Sequence, residues 1–327
     1  MLRIVLNRLL QGLVVIIIVS ALTFALLAAA GGDALSSLSS DPLVSEKTVE
    51  SLRHTYGLDQ PLAVRYGRWL LGIMSGELGY SLYYHTPVWS LMRPRLINTL
   101  ILAALALLIA MTIALVLGTL AARQRRGWAD RLAGAVVLLA SSSPRIVLAL
   151  IALALVARSP SFVMTGADGS QGFSLMRVLV PALILSVPLI ALFLAQVRDG
   201  LSNSLREEFV QVARAKGLSE RAVVLRHALR SALNPLITIF GMSLGSLISG
   251  SVIVETVLGW PGLGQLSVVA VQARDVPLLM GLVLMTATAV LAGNLLGDIL
   301  LCLNDPRLRR GMGSASRAGG TEAAHIS

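Results

Sequence analysis

The chain has 327 residues, 55% of them hydrophobic and only 13% charged, with a mean hydropathy of +0.79 and a formal net charge of +10. That balance excludes a soluble globular protein and indicates a polytopic membrane protein, whose Lys and Arg gather on cytoplasmic loops for reasons of topology, so the charge is no sign of nucleic acid. The one cysteine, Cys302, leaves no internal disulfide and no cysteine-based metal site.

In chain order, the first apolar run, Leu9 to Ala30, follows Arg3 and Arg8 and ends in small residues, as a secretory signal does. It is longer than a signal core and long enough to cross a bilayer, so it reads as a retained first span, with cleavage after Ala30 as the other reading. The connection that follows holds two amphipathic stretches. "SEKTVESLRHTYG" spaces Val49, Leu52 and Tyr56 along one helical face behind a Ser45 cap, and "QPLAVRYGRWLLGIMSGELG" carries Tyr66 and Trp69, which favour a membrane interface. Helices capping the outer mouth and a partner-docking surface both fit.

Five further apolar runs lie near residues 97–120, 132–157, 178–197, 236–254 and 279–303, giving six spans. The loops 121–131 and 198–235 are rich in arginine and the alternate short loops are not, so the positive-inside rule puts both termini in the cytoplasm. The expected organisation is a tail and first span over 1–30, an extracytoplasmic loop over 31–96, a five-helix core over 97–303 that includes a cytoplasmic segment 198–235, and a cytoplasmic tail over 304–327.

Several residues in the spans ask for an explanation. Arg145 falls near the middle of the third span, where a charge costs about 3 kcal/mol or more unless it meets protein or water, so it lines a solute path or has a buried partner. Pro181 and Pro188 kink the fourth span and free backbone carbonyls. Gly241, Gly245 and Ser249 form a small-residue stripe on the fifth, suited to close packing or to lining a pathway. "ETVLGWPGLG", with Glu255, Trp260, Pro261 and Gly262, follows on the outer side, and an interfacial turn anchored by Trp260 is its plain reading. Asn294 and Asp298 share a face of the sixth span, a pattern for a helix-packing hydrogen bond or a wet location.

No GxxxxGK[ST] motif occurs, so any ATP-driven work belongs to a partner. His54, His85, His227 and His325 all lie outside the spans and no HExxH is present, which argues against an intramembrane protease; no catalytic residue and no metal site is expected. The segment "DGLSNSLREEFVQVARAKGLSERAVVLRHALRSALNP" parses as helix, turn, helix: Ser204 with Glu207 fits a capping box, a helix runs from about Leu205 to Lys216, Gly217 ends it, and Ser219 caps a second helix with Val223, Leu225 and Leu229 on its apolar side. Tethered to spans at both ends, it suits insertion into a cytoplasmic protein better than DNA reading, with lipid attraction as a further reading.

The segment resembles the cytoplasmic loop of bacterial ABC-importer permeases, whose signature is EAA, three residues, Gly, nine residues, then I-x-L-P. Gln211, Val212 and Ala213 stand for EAA, Gly217 is the glycine, and Leu229 keeps the leucine; His227 and Arg230 replace Ile and Pro, and Pro235 follows five residues on. "ARAKGLSER" is especially similar to the oligopeptide/dipeptide/nickel branch, as are "GLDQPLAVRYGRWL", "GELGYSL", "VIVETVLGWPGLG", "ARDVPLL" and the closing "NDPRLR". The resemblance implies an all-α membrane protein of six transmembrane helices with the type I ABC-importer permease fold. It implies a coupling element over Ala213, Lys216, Gly217, Leu218, Ser219, Glu220, Arg221, His227 and Leu229, and an outer gate around Glu255 to Gly262. The implied partners are a second homologous permease subunit, two cytoplasmic ATP-binding subunits that hold ATP and Mg, an extracytoplasmic solute-binding protein and membrane lipids, with no cofactor on this chain and no nucleic acid. The alternative is a stand-alone secondary transporter driven by an ion gradient, which calls for inverted repeats and several intramembrane acids, where the sequence offers Asp298 and no convincing repeat.

Overall fold

In hydrocarbon every backbone N–H and C=O has to be paired within the protein, which selects helices wherever the sequence is apolar for long enough. The computed structural model describes residues 2–29, 59–124, 126–158 and 175–304, with isolated helical positions at 47, 50, 51 and 54. In chain order these form α1 (Leu2–Ala29), α2 (Leu62–Met74), a two-stranded hairpin of β1 (Tyr80–Ser81) and β2 (Thr86–Pro87), α3 (Val88–Arg123), α4 (Trp128–Ser142), α5 (Arg145–Val156), α6 (Leu175–Ser204), α7 (Glu208–Ala215), α8 (Glu220–Leu258), α9 (Leu263–Gln272) and α10 (Val276–Asn304). The hairpin pairs Tyr80 with Pro87 and Ser81 with Thr86, antiparallel. It is the one departure from an all-helical chain among the described residues.

Among the described residues five helices are long and apolar enough to cross a bilayer, and α4 with α5 makes a sixth when the two count as one broken span. The apolar run 132–157 is therefore not one straight helix: its halves meet at 94°. Proline causes the break. Pro144 lacks an N–H and drives the residue before it out of the helical region, and Ser143 accordingly sits at φ −92°, ψ 109°. By contrast Pro94, Pro181, Pro188 and Pro235 lie inside helices that continue through them.

The core lies between α3 and α6. Leu102, Ala106, Ala110, Ala114, Gly118 and Ala122 recur every four residues on α3 and all are buried, a stripe that lets a neighbouring backbone approach closely. α6 answers with Ala182, Leu185, Leu189, Phe193 and Val197. A Cβ on Gly118 would fall 2.8 Å from Val197 Cγ1, so the two helices are in contact there without room for a side chain. A second close crossing joins α8 to α10, where a Cβ on Gly241 would lie 2.7 Å from Gly297 Cα and one on Gly297 would lie 2.6 Å from Gly241 Cα.

α1 packs on the outside of α10. Its Arg8 pairs with Asp298 at 2.7 Å, which gives the acid of the last span a cationic partner. Amphipathic α2 then leans on α1 through Tyr66, whose hydroxyl lies 2.9 Å from Ser20 Oγ and whose ring sits 5.6 Å from Phe24 and 5.8 Å from Trp69. The helix expected over "SEKTVESLRHTYG" and the tail beyond Asn304, with "NDPRLR", fall mostly outside the described residues.

The Gly241–Gly297 crossing is backbone against backbone, so neither side has a flexible side chain that could yield. Gly297→Leu is expected to destabilise the bundle by about 1–3 kcal/mol, as overpacking generally does. Thermal unfolding of the purified protein in detergent checks this, and an unchanged melting temperature contradicts the crossing.

Candidate functional site

Three places gather the residues that the sequence singles out: the helix pair α7–α8, the break between α4 and α5, and the joint between α8 and α9.

The helix pair begins where α6 ends. Ser204 is the last residue of α6, and α7 starts after Glu207, whose side chain makes no capping bond, so the capping box expected from Ser204 and Glu207 does not form. Ser204 is instead buried, as the final turn of a long helix packed against its neighbours. α7 ends at Gly217, which takes the left-handed conformation at φ 76° and lets Leu218 N donate back to Ala213 O. Ser219 caps α8, its hydroxyl accepting from Ala222 N at 3.4 Å.

The opening of α8 is not a regular α-helix. Val223–Ala228 form a π-helical stretch, and its wider turn points Val223, Val224 and Ala228 inward together while Leu225 faces out. Those three join Ala213, Val210, Leu201 and Ala122 in a small core that locks the pair onto α6 and the end of α3. Ala213 thus holds the two helices together and is not itself on the surface, and Leu229 and His227 are half-buried beside it. Lys216, Gly217, Leu218, Ser219, Glu220 and Arg221 form an exposed apex. Leu218 on it, and Phe209 and Val212 on α7, expose large apolar side chains.

An ion pair braces this apex: Arg214 Nη2 donates to Glu220 Oε1 at 2.6 Å and its Nε to Oε2 at 3.2 Å, across the turn. The 39 residues of α8 measure ~58 Å against a hydrocarbon core of ~30 Å, so its first turns lie outside the bilayer. There, the hydrogen bond from Arg214 holds the Glu220 carboxyl below its ordinary value, and the same bond raises Arg214.

At the break, Arg145 is the first residue of α5 and lines a cavity of about 400 Å³ together with Val137, Ser141, Pro188, Leu192 and Ser246. A Cβ on Gly250 would lie 1.9 Å from Arg145 Nη1, so the guanidinium rests directly on the backbone of α8. Ser249 is exposed on the neighbouring face, whereas Gly241 and Gly245 are buried against α10, with Gly245 facing Val290.

The outer joint turns on a buried carboxylate. Glu255 has no exposed surface; its Oε1 accepts from Thr99 Oγ1 at 2.9 Å, and its Oε2 accepts from Gly264 N at 2.7 Å and Gln265 N at 3.1 Å. Thr99 Oγ1 in turn accepts from Leu263 N at 2.9 Å. Two side chains thereby satisfy three of the open N–H groups at the start of α9, where a negative charge is also favoured by the helix dipole. Gly259 caps α8 at φ 66°, Trp260 Nε1 reaches Asn98 O, and Asn98 Nδ2 donates to Pro261 O at 2.8 Å. Gly262 is required by close approach, since a Cβ there would fall 2.4 Å from Glu255 Cδ.

A second buried carboxylate, Asp275, repeats this device and has no counterpart among the site residues named from sequence. It accepts from Ser81 Oγ at 2.5 Å, Tyr83 N at 3.1 Å and Leu278 N at 3.1 Å, and so fastens the hairpin to the start of α10. The acid in "ARDVPLL" just before an apolar run was its legible signal, as an N-cap. Among the described residues no group of three His, Cys, Asp or Glu side chains is placed to hold a metal ion.

Family comparison covers almost the whole sequence. Residues 114–310 match the binding-protein-dependent transport system inner membrane component, and residues 1–103 match the N-terminal model of the same membrane components. The chain is 34% identical over 317 residues to a putative peptide permease protein of Brucella ovis, covering 94% of this chain and 99% of that one. It is 32% identical over 311 residues to the oligopeptide transport system permease protein AppB of Bacillus subtilis, covering 93% and 98%. With the dipeptide transport system permease protein DppB of Escherichia coli it shares 31% identity over 338 residues, covering 94% and 99%.

Removing one acceptor of the outer joint leaves buried N–H groups unpaired. Glu255→Gln and Thr99→Val are each expected to destabilise by about 1–3 kcal/mol. Because both cap the same helix start, the double variant should lose clearly less than the sum, and additive melting-temperature losses would contradict a shared cap.

Proposed function

As this chain belongs to the family of binding-protein-dependent transport system inner membrane components, we propose that it forms half of a translocation pathway for peptides or similar small solutes. It is the permease subunit of an ABC importer, a multi-pass protein of the bacterial inner membrane, and ATP hydrolysis lies in separate subunits of such systems. The peptide reading rests on the names of its relatives in Brucella, Bacillus subtilis and Escherichia coli. In the assembly we envisage, this chain pairs with a second homologous permease, each sits on one ATP-binding subunit that holds ATP and Mg, and a solute-binding protein delivers cargo from outside.

One observation carries the coupling role: the α7–α8 pair is packed within and exposes large apolar side chains beside a charged apex. Its inner face is filled by Ala213, Val210, Val223 and Val224, and Arg214–Glu220 braces the turn, while Phe209, Val212 and Leu218 stand exposed. Such a knob suits a cleft on an ATP-binding subunit. The apex then lies in the cytoplasm, in accord with the arginines of 121–131 and 198–235, both termini are cytoplasmic, and the Glu255 joint faces outward. In this arrangement closure of the ATP-binding subunits displaces the knob as a rigid body and tilts α8 with it. Arg145 and Ser249 are the pathway residues of this reading, and the joint from Glu255 to Gly262 forms a fixed outer rim. An ion-gradient mechanism is less well supported, since among the described residues Asp130 pairs with Arg198, Asp298 with Arg8, and Glu255 and Asp275 are held by backbone N–H groups.

Gly217→Asp tests the coupling role. The aspartate adds a Cβ at φ 76° and a charge at the apex, and is expected to cut ATP-dependent uptake in reconstituted vesicles at least tenfold while the bundle still folds. If uptake and attachment of the ATP-binding subunits both survive, the apex is not the coupling element.

A further inference from the structure

We infer that the cavity at the α4–α5 break is an anion subsite of the translocation pathway, in which Arg145 receives the carboxylate of a passing solute. The inference rests on the permease reading above and adds to it the charge of the cargo.

Four observations converge on it. Pro188, near the middle of α6, and Ser246, about two-thirds of the way along α8, line the cavity ~20 Å and ~18 Å from the helix ends at Leu175 and Leu258, so the guanidinium lies deep within the bilayer's thickness. A charge at that depth is tolerated only against protein or water. Arg145 makes no hydrogen bond or ion pair among the described residues, and nearby acids are committed elsewhere: Asp130 to Arg198, Asp298 to Arg8, and Glu255 to the start of α9. Finally, the bare backbone of Gly250 is what lets the guanidinium lie where it does, since a Cβ would fall 1.9 Å from Nη1.

The surroundings add to the charge. α5 starts at Arg145, and the first N–H groups of a helix have no intrahelical acceptor and carry the positive end of its dipole. Ser141 supplies a hydroxyl, while that of Ser246 on the other side donates to Ser243 O at 3.0 Å, and Leu189, Ala191 and Leu192 form an apolar wall. A cavity of about 400 Å³ with one cation, the Ser141 hydroxyl and an apolar wall suits a short peptide or organic acid entering carboxylate first. A discontinuous helix whose half-helix N-terminus faces an anionic solute is a recurring solution in transporters.

The test uses the assembled importer in vesicles, with Cys302→Ser and Ser246→Cys, and follows thiol modification by an anionic and a cationic methanethiosulfonate of similar size. With Arg145 present the anionic reagent should be favoured about tenfold over its ratio toward a small thiol in solution, as a nearby unit charge in a partly screened site dictates. Arg145→Gln should remove that preference, Arg145→Lys should keep most of it, and Gly250→Leu, which displaces the guanidinium without removing it, should weaken it. Trialanine uptake should fall at least tenfold in Arg145→Gln and be largely restored in Arg145→Lys. A Ser246→Cys thiol that reacts with neither reagent, or with no charge preference while Arg145 is present, overturns the subsite; the second result would mean that a partner's acid already neutralises Arg145. An anionic preference in an assembly that takes up no trialanine would uphold the subsite and instead overturn the peptide reading.

Discussion

Glu255 fixes the geometry on which the rest depends. A carboxylate without any exposed surface is tolerable only if its charge is met by donors, and here three donors meet it: Thr99 on α3 and the N–H groups of Gly264 and Gln265 on α9. The last turn of α8 is therefore tied to two other helices at one point. From that point α8 runs as one continuous helix, π-helical over Val223–Ala228, for ~53 Å to its start at Glu220 beside the turn at Gly217. One rigid element thus connects the exposed apex, the cavity beneath Arg145 and the outer joint.

The helices beside α8 divide the work. α10 crosses it with backbone touching backbone at Gly241 and Gly297, and α1 is fastened to α10 by Arg8 and Asp298, so these three form one packed unit. On the other side α3 and α6 interdigitate along the stripe of every fourth residue from Leu102 to Ala122, and α4 joins them through Asp130 and Arg198 at 2.6 Å. The Arg145 cavity lies where the second unit meets α8, lined by α4, α5 and α6 on one side and Ser246 on the other. Any tilt of α8 relative to α4–α6 changes the width of this cavity and the exposure of the guanidinium, which is how motion at the apex would reach a solute.

Much of this was legible in the sequence. Hydropathy located the spans, because membrane-crossing helices need long apolar runs. Gly217 and Ser219 gave the turn and the cap, since each residue type has a local reason to be there. What hydropathy could not see was the 94° break, for the run 132–157 is apolar throughout and only Pro144, one of several prolines in these helices, breaks its helix. The π-helical stretch at Val223–Ala228 was equally hidden, and with it the exchange of Leu225 for Val224 on the buried face. Ser204 and Glu207 satisfied the pattern of a capping box but α6 runs on to Ser204, because tertiary burial prevails over a local cap. The N-cap of Asp275 on Leu278 is local, but the bonds of Glu255 to Thr99 and of Asp275 to Ser81 reach partners 156 and 194 residues away along the chain, which no local pattern contains.

The central claim is that α8 moves as one rigid lever between apex and outer joint. Its most direct test is a pair of spin labels on exposed Leu225 and Ile253, about 42 Å apart along the helix, with a reference pair on Leu225 and exposed Leu139 of α4, measured in the assembled importer without nucleotide and trapped with ATP. A rigid lever predicts the same Leu225–Ile253 distance in both states and a changed Leu225–Leu139 distance. A Leu225–Ile253 distance that shortens on ATP trapping would mean that α8 bends, at its π-helical stretch or at Pro235, and would contradict the account.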